Sequence, residues 1–92
     1  MSGRDLLAWN LRTLRTAQDL SQERLAVDAG VDRAWVSELE RGQGNTSIDL
    51  LDRLAAALGA PIGALFAELP EGATIPPPPL PSGRKAQARK AR

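Results

Sequence analysis

Apolar residues recur at three- and four-residue spacing from Leu6 to Leu69, with no run of strict alternation. That period stacks side chains along one face of an α-helix, so the pattern predicts an all-α fold of five short helices. The first spans about Ser2 to Ala17, with Leu7, Leu11 and Leu14 inward and Arg4, Arg12 and Arg15 among its polar positions. Ser21 opens the second as an N-cap, its hydroxyl suited to accept a free N–H of the first turn; Leu25 and Ala26 turn inward, and Gly30 stops the helix. Asp32 caps the third, which runs to about Arg41 with Val36 and Leu39 on its buried face, and residues 42–45 form a polar, glycine-bearing connection. Thr46 or Ser47 caps the fourth, whose inward set is Ile48, Leu51, Leu54, Ala55 and Leu58, and Gly59 ends it. Pro61 suits the first position of a fifth helix carrying Ile62, Leu65, Phe66 and Leu69, and Pro70 terminates it.

Beyond Glu71 the pattern is lost. Four consecutive prolines, Pro76 to Pro79, precede a stretch from Gly83 to Arg92 with too few apolar groups to offset the entropy of ordering. The expected organisation is one folded domain over residues 1–70 and a disordered, proline-rich basic tail over 71–92. Charge divides at the same place. Residues 1–71 hold seven arginines against eleven acids, a net of −4, whereas the rest holds Arg84, Lys85, Arg89, Lys90 and Arg92 with no acid.

Composition removes several classes of function. The chain has 92 residues and neither cysteine nor histidine, so a disulfide framework and the usual zinc, haem and iron–sulfur ligand sets are excluded, and no metal or other cofactor is expected. Apolar runs such as residues 54–58 are too short to span a bilayer, and residues 1–5 lack a signal-like apolar region, so a cytoplasmic protein without membrane contact is expected. An enzyme is not expected either: there is no histidine or cysteine for nucleophilic or acid–base work, the acids lie mostly on helix surfaces, and no glycine loop is built to cradle a phosphate.

The informative segment is residues 21–42. Counted from Gln22, the fifth position must be small where two helices cross, and Ala26 is there; the ninth must turn sharply, and Gly30 is there. Val36 and Leu39 then fall where the second of the two helices packs on the first. Four constraints met in one register identify a helix-turn-helix, the motif spanning about 21–41.

These residues resemble the phage-repressor and Cro-like family of small bacterial regulators, which includes restriction-modification controller proteins. The likeness covers about residues 10–66. It is carried by Leu11-Arg12-x-Leu14-Arg15, Leu20-Ser21-Gln22-Glu23-x-Leu25-Ala26, Gly30-Val31-Asp32-Arg33, Val36-Ser37-x-Leu39-Glu40-Arg41-Gly42 and Leu54-Ala55-x-Ala57-Leu58-Gly59. It implies a compact five-helix repressor-like DNA-binding domain, in a nucleoid-associated transcriptional regulator that represses or regulates its own synthesis.

By that resemblance the start of the helix at 32–41 lies in the major groove, with Arg33, Ala34, Ser37 and Glu38 nearest base edges. Arg33 has the donors for guanine O6 and N7, Glu38 can accept from a cytosine amine or pair with Arg41, and Ala34 can touch only a thymine methyl. Gln22 is implied either as a phosphate contact or as a brace for the recognition helix. Trp35 either gives its indole N–H to a phosphate or packs on the helix surface. Arg41, Gln43 and Asn45 correspond to the loop that approaches the DNA backbone, and Arg15 with Glu40 to a partly buried structural ion pair.

Regulators of this type act as two-fold dimers on inverted repeats, so a homodimer on double-stranded DNA is expected. Ile62, Leu65, Phe66 and Leu69 either form its interface or simply close the core. The acidic domain weakens the sequence-independent attraction to DNA; the basic tail either supplies it or only solubilises the chain. The alternative function is a protein-interaction module, an antitoxin or anti-regulator, with a protein partner and DNA binding secondary or lost.

Overall fold

The computed structural model describes residues 2–72, so the tail expected over 71–92 lies, apart from Glu71 and Gly72, outside the described residues. Four α-helices and a short 3₁₀ segment follow one another: α1 Gly3–Ala17, α2 Gln22–Ala29, α3 Arg33–Glu40, α4 Ile48–Leu58 and the 3₁₀ turn Ile62–Phe66. No strand occurs among the described residues.

Each helix begins on a side-chain cap. Ser2 accepts the N–H of Asp5 at 3.1 Å while the Asp5 carboxylate accepts the N–H of Ser2 at 3.3 Å, a reciprocal capping box. Ser21 accepts from Arg24 N–H at 2.9 Å and Ser47 from Leu50 N–H at 3.1 Å; Asp32 caps α3 more loosely, at 3.4 Å from Ala34 N–H. Gly30 and Gly59 end α2 and α4 in the left-handed conformation, with φ of 72° and 66°.

The core is a single cluster of leucines and small residues. Leu7 and Leu11 of α1, Leu25, Ala26 and Ala29 of α2, Val36 and Leu39 of α3, Leu51, Leu54, Ala55 and Leu58 of α4, and Leu65 of the 3₁₀ turn meet there. Complete burial of a leucine such as Leu11, Leu25 or Leu54 contributes about 2 kcal/mol. α1 packs on α3 and the 3₁₀ turn, and α2 packs on both α3 and α4. The Gln18 amide donates to the Leu58 carbonyl at 2.7 Å and so fastens the C-terminal ends of α1 and α4 together.

Two expectations need correcting. The fifth helix is 3₁₀ rather than α and stops at Phe66, short of Leu69 and Pro70. Gly63 weakens so short a segment, and the chain leaves it extended at Ala67, whose carbonyl accepts from the Asn10 amide at 2.9 Å. Ile48 has the right period for the core but is 66% exposed, because in the first turn of α4 no neighbouring element stands opposite it. Arg15, counted among the polar positions of α1 and implied as half of a partly buried ion pair with Glu40, is buried.

Gly30 has no atom within 4 Å of where a Cβ would stand, so its requirement is one of backbone conformation alone. Gly30→Ala should cost about 1–2 kcal/mol and Gly30→Asn less, read as shifts in urea midpoint at unchanged slope. Equal losses for the two variants would show that something other than the left-handed backbone is at stake.

Candidate nucleic-acid interface

α3 is divided lengthwise. Val36 and Leu39 are buried against α1 and α2, and Ala26 lets α2 approach. The opposite side presents Arg33, Ala34 and Glu38 to solvent, with Ser37 half-buried between them. Four residues expected near base edges therefore share one accessible face. Among the described residues, ion pairs join Arg15 to Glu40 and Arg24 to Asp28, so Arg33 and Glu38 are both uncommitted. Arg41 turns to the Ser37 hydroxyl, to which it donates, rather than to Glu38.

The far end of α3 is locked from inside. Arg15 Nε donates to Glu40 Oε2 at 2.6 Å and Nη2 to Oε1 at 2.9 Å, while Nη1 donates to the Leu20 carbonyl at 2.6 Å. Both side chains are about 95% buried. Gln22 donates its amide to the same Oε1 at 3.1 Å, so it braces α3 from the first turn of α2. Arg12 lies beside this pair. Its guanidinium pKa is lowered, chiefly by burial and partly by Arg15, with Glu40 opposing, but an arginine stays charged at any working pH.

The connection from α3 to α4 turns on Gly42 and Gly44, both with positive φ, and Gln43 N–H closes it on the Glu38 carbonyl at 2.9 Å. Gln43 and Asn45 are exposed. Trp35 uses its one N–H on the Asn45 carbonyl, at 2.9 Å, leaving none for a phosphate in this conformation. Arg4 reaches the same loop, donating from Nε to the Gly44 carbonyl at 2.8 Å and from Nη2 to Asn45 Oδ1. Sequence reasoning did not single out Arg4 for this site. About forty residues separate the partners, and no local pattern marks a contact of that range. Arg53 was likewise missed; it approaches the Gly30 carbonyl at the turn between α2 and α3, at 3.4 Å.

The four apolar residues weighed for a dimer interface part company. Leu65 is fully buried within one chain and has no surface to offer a second. Ile62 packs on the core from its edge, Leu69 is half-buried, and Phe66 is 37% exposed. Phe66 also walls a shallow groove of about 170 Å³ with Gly3, Leu7 and Leu39. Among the described residues no group of three acidic side chains is close enough to hold a metal ion, and no helix is long and apolar enough to cross a membrane.

Residues 6–69 match the family described as a helix-turn-helix domain. A hypothetical transcription factor of Neisseria meningitidis is 43% identical over 56 residues, or 61% of this chain and 53% of that protein, so the match spans about half of that relative. Control protein C.SmaI of Serratia marcescens is 35% identical over 66 residues, 72% of this chain and 79% of its own. The crystal structure of the restriction-modification controller protein C.AhdI from Aeromonas hydrophila is similar at a TM-score of 0.66 and 44% identity, over 68% of this chain and 96% of that one.

The buried pair makes a direct prediction. Glu40→Gln leaves Arg15 charged and buried without a counter-ion, and should cost about 3 kcal/mol or more. The double variant Arg15→Met, Glu40→Leu leaves no buried charge and should unfold much nearer to wild type. Equal damage in both, measured by chemical denaturation, would remove charge compensation as the reason for the pair.

Proposed function

The chain belongs to the helix-turn-helix domain family of DNA-binding transcriptional regulators, and from that premise we propose that it reads duplex DNA sequence-specifically through α3. The observation that carries this reading is the division of α3: Val36, Leu39 and Glu40 fix its inner side, while Arg33, Ala34, Ser37 and Glu38 share the outer one. A rigid helix with an uncommitted guanidinium at its start suits the major groove, where Arg33 takes guanine O6 and N7 and Glu38 takes a cytosine amine, each good pair contributing about 1–3 kcal/mol of discrimination. Arg41 donates to the Ser37 hydroxyl, which leaves that O–H free to donate to an acceptor on a base edge.

Phosphates are contacted by Gln43, Asn45 and Arg41 from the loop side, and by the first turn of α2 beside Gln22. Gln22 takes mainly the bracing role, since its amide is hydrogen-bonded to Glu40. The protein works in the cytoplasm on the nucleoid as a homodimer on an inverted repeat. Phe66, with the edges of Ile62 and Leu69, is the surface for that contact; Leu65 belongs to the core. The net charge of −4 over residues 1–71 favours one second reading, in which this surface serves a protein partner.

Selection of bound duplexes from a random pool by the full chain at near-physiological salt separates the two. Wild type should enrich an inverted repeat, and Arg33→Ala should lose the preference at one position of each half-site, weakening binding about tenfold or more. Absence of any enriched sequence would remove autonomous DNA reading and leave the partner-binding function.

A further inference from the structure

The loop between α3 and α4 is built to be pliant, yet it is held from two directions. Two left-handed glycines, Gly42 and Gly44, flank Gln43, and both have wide conformational freedom when unrestrained. Against that freedom, three side-chain hydrogen bonds converge on two consecutive residues. Arg4 spans the Gly44 carbonyl and Asn45 Oδ1, and Trp35 holds the Asn45 carbonyl. One grip comes from the first turn of α1 and the other from α3 itself.

The chemistry of these groups fixes what the loop presents. A guanidinium has only donors, so the Asn45 amide must turn its oxygen to Arg4 and keep its NH₂ for something else. Neither Arg4 nor Asn45 is buried, so this arrangement closes no core. Trp35 is half-buried and lies on the helix that carries the base-reading face. Its bond therefore makes that helix and the loop one body.

Resting on the DNA-binding function proposed above, we infer that Arg4 and Trp35 are positioning residues: they preset the 42–45 loop so that Gln43 and the Asn45 NH₂ meet a phosphate in fixed register with α3. An ordered loop does not have to be ordered again on binding, so the clamp raises affinity for every duplex alike. It leaves base preference to Arg33, Ala34, Ser37 and Glu38.

Two variants of the full chain test this without changing its charge. Trp35→Phe keeps an aromatic ring and removes the N–H; Arg4→Lys keeps the cation and removes the planar fork that reaches two acceptors. Each should weaken binding to the duplex enriched by wild type and to a scrambled duplex by the same factor, about fivefold. Salt slope and selected sequence should stay as in wild type, the thermal midpoint should fall by only a few degrees, and amide hydrogen exchange at residues 42–45 should quicken. Wild-type affinity in both variants would overturn the inference, as would a changed base preference, which would make Trp35 or Arg4 a base contact. Wild-type affinity in Arg4→Lys alone would overturn the inference for Arg4. Failure of wild type to bind either duplex would overturn the inference together with the proposed function.

Discussion

The Arg15–Glu40 pair is the constraint on which the rest of the structure depends. Two charges taken out of water gain little over an apolar contact of the same shape, so the pair is poorly explained as a source of stability. What it supplies is direction. Arg15 has a fork that meets both Glu40 oxygens and a third donor that meets the Leu20 carbonyl, and Gln22 occupies Oε1 as well. An apolar contact tolerates sliding and rotation. A four-bond network among α1, the turn after it, α2 and α3 does not, because a displacement of α3 would leave a buried charge with unsatisfied atoms.

That rigidity matters because the core alone is forgiving. It consists of leucines, alanines and one valine, side chains that repack with modest loss when volume is kept. Packing of Val36 and Leu39 sets which side of α3 turns inward, and the directional bonds to Glu40 add to that packing a contact that does not tolerate sliding. The outer face and the buried network are therefore two sides of one decision: with Val36, Leu39 and Glu40 committed inward, Arg33, Ala34 and Glu38 have nowhere to go but out.

Much of this was legible in the sequence because it rests on local rules. Ser2, Ser21, Asp32 and Ser47 stand at helix starts, Gly30 and Gly59 at ends, and each of those signals acts within four residues of chain. The Arg15–Glu40 partnership, 25 residues apart, came only through family resemblance. What the sequence withheld depends on what stands opposite a residue. Ile48 and Leu51 share one helical stripe, yet one is exposed and the other buried, because periodicity names a face and not a neighbour. Leu65 and Phe66 looked alike as candidate interface, and tertiary packing sent one wholly into the core. Trp35 was weighed as a donor to a phosphate or as packing on the helix surface, and only the folded loop showed its N–H on the Asn45 carbonyl. Arg4 carried no sign of its role, since its acceptors lie at the other end of a connection the sequence could describe only as polar.

Accounting for the arginines bears on how an acidic domain reads a polyanion. Among the described residues Arg15 is neutralised by Glu40 and Arg24 is paired with Asp28; Arg4 and Arg41 are turned to loop and hydroxyl oxygens, and Arg53 to a carbonyl. Arg12 stands half-buried beside the ion pair. Arg33 is left as the exposed guanidinium without a hydrogen bond of its own, at the start of α3. A domain with several free cations would bind any duplex first and discriminate second, since phosphate attraction is blind to sequence. Here the arginines bound to neutral oxygens keep their charge, but eleven acids against seven arginines over residues 1–71 leave little of that attraction, so on the proposed reading a larger share of binding comes from base contacts. With a net charge of −4 over residues 1–71, the sequence-blind share of any duplex affinity from this part is small, and geometry held by the buried pair carries correspondingly more of it.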